Sequence, residues 1–379
     1  MMNLKKIFIL CSVLALCSCK SSLTTEVKEI PQKKPKNVIL LIADGTGLSQ
    51  ISSAYYYKKS QPNYSRFENI GLIQTSSSRQ DITDSAAGAT AFACGVKTYN
   101  GAIGVSDDST DVKTIIELVS PKGIKTGVIS TSSIVHATPA SFYAHAYYRG
   151  YYEEIAEDLV ASDVDFVAGG GTKFFNARKD GRNLFKDLEA KTFKIDTSEL
   201  STIETLKNTS KAAFIIGKEH LPPVSKGRGN YLSNATELGI QFLTNDNRHP
   251  NFFLMVEGSQ VDWGGHANDA EYLISELIDF DSTLGKALDF AERDGNTLVI
   301  VTANHETGGF TLSSKTKTQE DGSSYSDYAE INPTFSTGGH SATLIPVFAY
   351  GPGSEAFRGV YQNNDIFHKI MEVTGWGKN

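Results

Sequence analysis

The chain has 379 residues, of which 40% are hydrophobic and 21% charged, an ordinary globular composition with no low-complexity tract and no internal repeat. That length suits one large α/β domain or two small ones. The formal net charge is −7, and beyond the leader the one basic run is Gln32-Lys33-Lys34-Pro35-Lys36, which excludes the electrostatic footprint of a nucleic-acid binder.

The first nineteen residues stand apart from the fold. Lys5 and Lys6 precede an apolar run over 7–16, too short to span a membrane as a mature helix and suited to a secretory signal. The run closes on Leu16-Cys17-Ser18-Cys19. A small residue directly before a cysteine resembles a bacterial lipobox, with Cys19 as the lipidated first residue; a plain signal peptide cut nearby is the competing reading. The expected organisation is a lipoprotein signal peptide over 1–19, a flexible tether over 20–36 and one folded domain over 37–379. Export to the periplasm or cell surface follows, with membrane contact only through the lipid. Beyond the leader only Cys94 remains, so no internal disulfide forms, and Cys94 reads as a buried packing residue.

Residues 37–43 (NVILLIA) form a short apolar run of the doubly covered parallel type, ending in Asp44-Gly45-Thr46-Gly47. The third glycine of a dinucleotide fingerprint is missing, and no phosphate-loop motif occurs. Residues 81–101 (DITDSAAGATAFACGVKTYNG) then predict a helix of small residues opening on Asp84-Ser85. Small side chains let a helix lie close to a sheet, and a serine there serves as a cap unless the rest of the chain gives it other work. Further strands are expected over 125–130 (KTGVIS), 252–256 (FFLMV, ending in Glu257), 297–302 (TLVIVT, ending in Asn304-His305) and 344–349. Between them, Leu273, Leu277, Ile278, Leu284 and Leu288 recur at helical spacing over 270–293. The alternation predicts an α/β fold, a central mostly parallel sheet with helices on both faces. In such sheets ligands bind outside the carboxyl ends of the strands, where Asp44, Glu257 and Asn304-His305 gather.

The candidate ligands form a metal set. Asp262-Trp263-Gly264-Gly265-His266 puts a carboxylate and an imidazole four apart, on one face if helical, though the two glycines leave a turn open. Gly338-Gly339-His340 adds an imidazole before the last apolar strand. Imidazole with carboxylate suits zinc, and all-oxygen sets suit magnesium. His220, His249 and His368 lack such context and read as ordinary polar histidines. Ser85 is in no G-x-S-x-G elbow and has no aspartate–histidine arrangement beside it to act as base, so metal coordination is the way to activate its hydroxyl.

Six segments in order, ADGTGLSQ, TDSAAGATAFACGVKTYNGAIGV, HATPASFYAHAYYR, EGSQVDWGGHAND, NHETGGF and STGGHSA, resemble the alkaline phosphatases. The resemblance runs from Asn37 to nearly the end and is nearest to the short, cold-adapted bacterial members that lack large insertions. It implies hydrolysis of small phosphate monoesters through a phosphoserine on Ser85, with Arg149 gripping two phosphate oxygens. It implies a first zinc on Asp262, His266 and His340 and a second on Asp44, Asn304 and His305. Asp44 would bridge to a third site with Thr138 and Glu257, which takes magnesium, or zinc or cobalt because His136 adds a nitrogen. His136 and Trp263 occupy positions that vary in the family and tune phosphate and third-site binding. A homodimer is implied too. Asn304 departs from the family's aspartate, and that departure keeps a low-turnover metal- or phosphate-binding lipoprotein in view. A phosphodiesterase of the same superfamily is the other rival, against which Arg149 argues.

Overall fold

Six consecutive apolar residues behind a buried Asn37 make β1 (Asn37–Ala43), the buried centre around which the sheet is built. The computed structural model describes residues 33–245 and 251–377. The expected signal peptide, Cys19, most of the tether and His249 lie outside them. Among the described residues no helix is long and apolar enough to cross a membrane.

The remaining strands are β2 (Asn69–Gln74), β3 (Lys125–Ser133), β4 (Phe166–Gly170), β5 (Phe193–Asp196), β6 (Lys211–Ile215), β7 (Phe252–Gly258), β8 (Thr297–Thr302), β9 (Glu306–Thr307), β10 (Thr311–Thr318), β11 (Ser324–Thr334), β12 (His340–Ser341), β13 (Ile345–Tyr350) and β14 (Gly359–Gln362). Ten form one sheet in the order β14-β2-β13-β8-β1-β7-β3-β4-β6-β5. Every pairing in it is parallel except those of β13 with β2 and β8.

Alternation along β1 shows that both faces are covered. Val38, Leu40 and Ile42 enter a core shared with the helices Ser85–Cys94, Tyr152–Ala161 and Asp365–Thr374. Ile39, Leu41 and Ala43 enter the opposite core, with Tyr231–Thr244 and Ala270–Asp294. Each such isoleucine or leucine contributes roughly 1.5–3 kcal/mol by leaving water. The mostly parallel, doubly covered sheet is the expected architecture.

Two local arrangements set up the site. The helix Ser85–Cys94 is buried along its whole length; the Asp84 carboxylate caps it by accepting from Ala87 N at 3.0 Å, and Gly95 ends it at φ +72°. A Cβ on Gly88 would stand 3.0 Å from Asn304 Cβ, so the small residues bring the helix onto the segment that follows β8. β3 extends beyond the expected 125–130 to Ser133, with its register against β4 shifting between Ile129 and Ser133. That extension carries Ser132 alongside Glu257, next to Ser130 at the end of the expected strand.

Candidate active site

Because β1, β3, β7 and β8 run the same way, their carboxyl ends share one edge, and antiparallel β13 starts there. Asp44 follows β1, Glu257 lies near the end of β7, Asn304 and His305 follow β8, and His340 sits in β12, which pairs with β9. Asp262 and His266 lie on the helix Gln260–His266, which settles the helix-or-turn question in favour of the helix. Its glycines are there for close approach. A Cβ on Gly264 would lie 2.6 Å from Leu273 N, and one on Gly265 would lie 2.8 Å from Thr307 O.

The imidazole tautomers follow from their partners. His266 Nδ1 lies 2.7 Å from Gly338 O and His340 Nδ1 2.8 Å from Thr83 O. A carbonyl only accepts, so both Nδ1 atoms carry a proton, and the neutral form of each ring presents its lone pair on Nε2. Thr307 Oγ1 donates its one hydrogen to Asp262 Oδ1 and therefore accepts from His305 Nδ1 at 3.2 Å, which leaves His305 Nε2 bare as well. Burial first, then the nearby His340 and Arg149, hold His305 well below the ordinary imidazole pKa, so it stays neutral.

These lone pairs converge. His266 Nε2 and His340 Nε2 are 3.2 Å apart and lie 3.4 and 3.7 Å from Asp262 Oδ1. The His305 and His340 rings stack with centroids 3.5 Å apart. One ligand atom from each of Asp262, His305 and His340 falls within 4.8 Å of the others, so the two expected zinc sets abut. Two imidazole lone pairs facing each other repel unless a cation stands between them. This donor set fits zinc.

Ser85 Oγ meets His305 Nε2 at 3.1 Å, and Asp44 Oδ1 meets the same nitrogen at 3.3 Å. Sequence reading expects no aspartate–histidine arrangement beside Ser85; the fold supplies one from β1 and β8. It is not a proton relay, which needs the carboxylate on the opposite ring nitrogen. Convergence on a single Nε2 is the pattern of ligands around a shared cation.

The third corner is all oxygen. Glu257 Oε2 accepts from Ser130 and Ser259 at 2.6 Å each, while its Oε1 is buried with no hydrogen-bond donor, as is Asp44 Oδ1. Thr138 Oγ1 donates to Asp44 Oδ2 at 3.4 Å. Burial raises the pKa of both Asp44 and Glu257, and neighbouring carboxylates raise Asp44 further. A buried carboxylate pair with orphaned oxygens fits a divalent cation. Asn304 is the exception to the expected ligand set. Its Oδ1 accepts from the backbone N–H of His305 (3.0 Å) and Gly45 (3.4 Å), and it turns Nδ2 toward Thr138 Oγ1 at 3.4 Å. In that orientation the atom offered to the cluster is a donor, which carries no lone pair for a metal.

Arg149 stands at the rim. Nη1 donates to Asp84 Oδ2 at 3.0 Å, and Nη2 lies 3.3 Å from His136 Nε2. Asp84 thus caps the Ser85 helix and aims the guanidinium, a role its cap position conceals in the sequence. Trp263 faces His136, and His220, read from the sequence as an ordinary polar residue, packs against both. Cys94 is buried, and burial pushes its thiol pKa up, as for a packing residue.

A profile of the alkaline phosphatase family matches residues 35–325. Alkaline phosphatase 3 of Bacillus subtilis is 32% identical, the match covering 96% of this chain and 94% of the relative. The Escherichia coli alkaline phosphatase is 28% identical over 91% of this chain and 87% of its own. The solved alkaline phosphatase of the Antarctic bacterium TAB5 is similar at 61% identity with a TM-score of 0.89, covering 92% of this chain and 100% of the other. Sheet, site edge and relatives agree: the chain belongs to the alkaline phosphatase family.

Proposed function

We propose that this protein hydrolyses phosphate monoesters to an alcohol and inorganic phosphate, with Ser85 as the nucleophile. The observation that carries the proposal is the convergence of three bare Nε2 atoms and three carboxylates on the space before Ser85. Two zinc ions and a magnesium ion are the metals the donor sets suit. Variants of the TAB5 enzyme have been solved with magnesium in their M3 site, which supports the third assignment. When bound, such cations polarise the serine and leaving-group oxygens and offset charge around phosphorus.

The residues do the rest. Ser85 begins a helix whose positive end faces the incoming phosphate. Asp84 holds Arg149 so that its fork meets two phosphoryl oxygens, which a diester would partly mask. Ser85 Oγ bonds to phosphorus as the ester oxygen leaves, and water then displaces the serine to free phosphate. Asp262, His266 and His340 would hold one cation, to stabilise the leaving oxygen; Asp44 and His305 would hold a second, to polarise Ser85, with Asn304 a weak member only once its amide turns its oxygen inward; Glu257, Thr138 and Asp44 would hold the third. Export as a lipoprotein rests on Leu16-Cys17-Ser18-Cys19, and homodimerisation on the family resemblance.

Acid-quench trapping of a phosphoenzyme in the parent, Ser85→Ala and Arg149→Ala tests the proposal, with rates on a monoester, a diester and a sulfate ester. Ser85→Ala should lose the phosphoenzyme and keep the fold; Arg149→Ala should weaken phosphate inhibition by tenfold or more, at roughly 1.5–3 kcal/mol per charge-assisted hydrogen bond. A phosphoenzyme surviving in Ser85→Ala refutes the nucleophile. Orientation of the Asn304 amide favours one other reading, a metal- or phosphate-binding protein of little turnover, and a parent that traps no phosphoserine would select it.

A further inference from the structure

We propose that His220 is a positioning residue that braces His136 and Trp263, and through them the Arg149 fork and the third-metal corner. This rests on the phosphomonoesterase reading above. Three rings form a nest at one side of the site. His220 and Trp263 are 4.8 Å apart at 67°, His220 and His136 5.7 Å apart at 89°, and His136 and Trp263 6.2 Å apart at 84°. All three contacts are edge-to-face, the arrangement aromatic rings prefer.

His220 is itself held. Ser133 N–H, at the end of β3, donates to His220 Nδ1 at 2.9 Å, so the ring carries its proton on Nε2. The next residue is tied on both sides: Leu221 N donates to Thr131 O at 3.3 Å, and Gln260 Nε2 donates to Leu221 O at 2.9 Å. The first bond joins the loop to β3 and the second joins it to the helix that carries Asp262, Trp263 and His266. A Cβ on Gly170 would lie 2.5 Å from Glu219 O, so the loop also sits directly on the end of β4.

The braced residues reach the chemistry where His220 does not. His136 Nε2 touches Arg149 Nη2 at 3.3 Å, and His136 immediately precedes the short helix Ala137–Ala140 that presents Thr138 to Asp44. Its Nδ1 is buried without a partner, so no hydrogen bond from that side fixes the ring. Besides the Arg149 contact, packing against His220 and Trp263 is what restrains it. Removing the His220 ring frees His136 to turn away from Arg149 and Trp263 to swing outward.

Two variants separate the ring from its hydrogen bond. His220→Phe keeps a ring and loses the acceptor; His220→Asn keeps an acceptor near the Nδ1 position and loses the ring. Each is made in a Trp376→Phe background, which leaves Trp263 as the only tryptophan. Magnesium and zinc per chain after dialysis against a mild chelator, tryptophan emission, melting temperature, and kcat and KM on a monoester are measured in the metal-loaded protein. For His220→Asn we expect a red-shifted Trp263 emission and on the order of tenfold weaker magnesium retention, the low end for a residue that supports ligands from behind. Zinc stoichiometry should hold, and KM should rise more than kcat falls. His220→Phe should stay near the parent in emission and magnesium. Parent-like emission and magnesium in His220→Asn would overturn the proposal, as would equal losses of zinc, magnesium and melting temperature. An inactive parent with the predicted emission and magnesium pattern would instead sink the phosphatase reading and leave the brace standing.

Discussion

Asn304→Asp changes one atom at the most consequential position of the cluster. In the parent the amide nitrogen faces Thr138 Oγ1 at 3.4 Å, and the same hydroxyl lies 3.4 Å from Asp44 Oδ2. An aspartate would keep Oδ1 on the two backbone N–H groups and turn a charged oxygen toward Asp44. The amide that now hydrogen-bonds to Asp44 and lowers its pKa would become a like charge beside it; two unit charges about 4–5 Å apart, at an effective dielectric constant of about 20, interact by roughly 3–4 kcal/mol, some two to three decades in an equilibrium constant. In metal-stripped protein that interaction is repulsive, and it adds to the burial and the Asp262 and Glu257 charges that already push the Asp44 pKa upward. With a cation bound the sign reverses. The variant should therefore melt lower than the parent when stripped and at least as high when loaded, the gap widening by roughly 4 °C for a chain of this size. It should hold zinc at least tenfold more tightly and turn over faster. Calorimetry of stripped and loaded forms, with zinc content and monoester turnover after chelator dialysis, reads all three. An unchanged gap together with unchanged zinc and turnover would show that Asn304 already serves as an equivalent ligand, and the reasoning fails.

A second prediction concerns His145, which donates Nδ1–H to Gly104 O at 2.7 Å and Nε2–H to Glu117 Oε1 at 3.2 Å. Chiefly through the Glu117 bond its pKa rises from about 6.5 to about 9, so its contribution is full below about pH 6.5 and is lost as pH climbs through about 9. His145→Gln should remove roughly 1–2 kcal/mol at pH 6.5, after allowing for the exposure of Glu117, and nearly nothing at pH 10; stability curves that stay parallel across that window would refute the pairing. Third, Cys19→Ser should move the protein from the membrane fraction to the soluble exported fraction, and equal membrane association in the variant would favour the plain signal peptide.

What was legible in the sequence were features fixed by local pattern. β1, β7 and β8 are built on apolar runs because both faces of the sheet are covered, and the residues at or just past their ends (Asp44, Glu257, Asn304) are polar because the site is built at the carboxyl edge. The helix Gln260–His266 was ambiguous because glycine propensity speaks against a helix, whereas the approach of Leu273 and Thr307 demands glycine there. β10 and β11 gave no signal: their side chains are largely exposed or half-buried, so no period-two apolar face marks them. Thr307, Asp84 and His220 were hidden for another reason. Each acts through a residue distant in sequence, and only the fold brings the pair together.

Those helper residues explain why the cluster persists in a buried setting. Asp44, Glu257 and Asp262 are all buried, two of them with an oxygen lacking a hydrogen-bond donor, and like charges so close disfavour the ionised state. Thr307, Gly338 O and Thr83 O each occupy an Nδ1–H, so no imidazole can turn its proton inward to relieve the carboxylates. Protonation of Asp44 and Glu257 is one remaining relief, and a rise in pH removes it. Cation binding is the other, and deprotonation strengthens it. The affinity of the site for metal should therefore grow as the solution becomes alkaline.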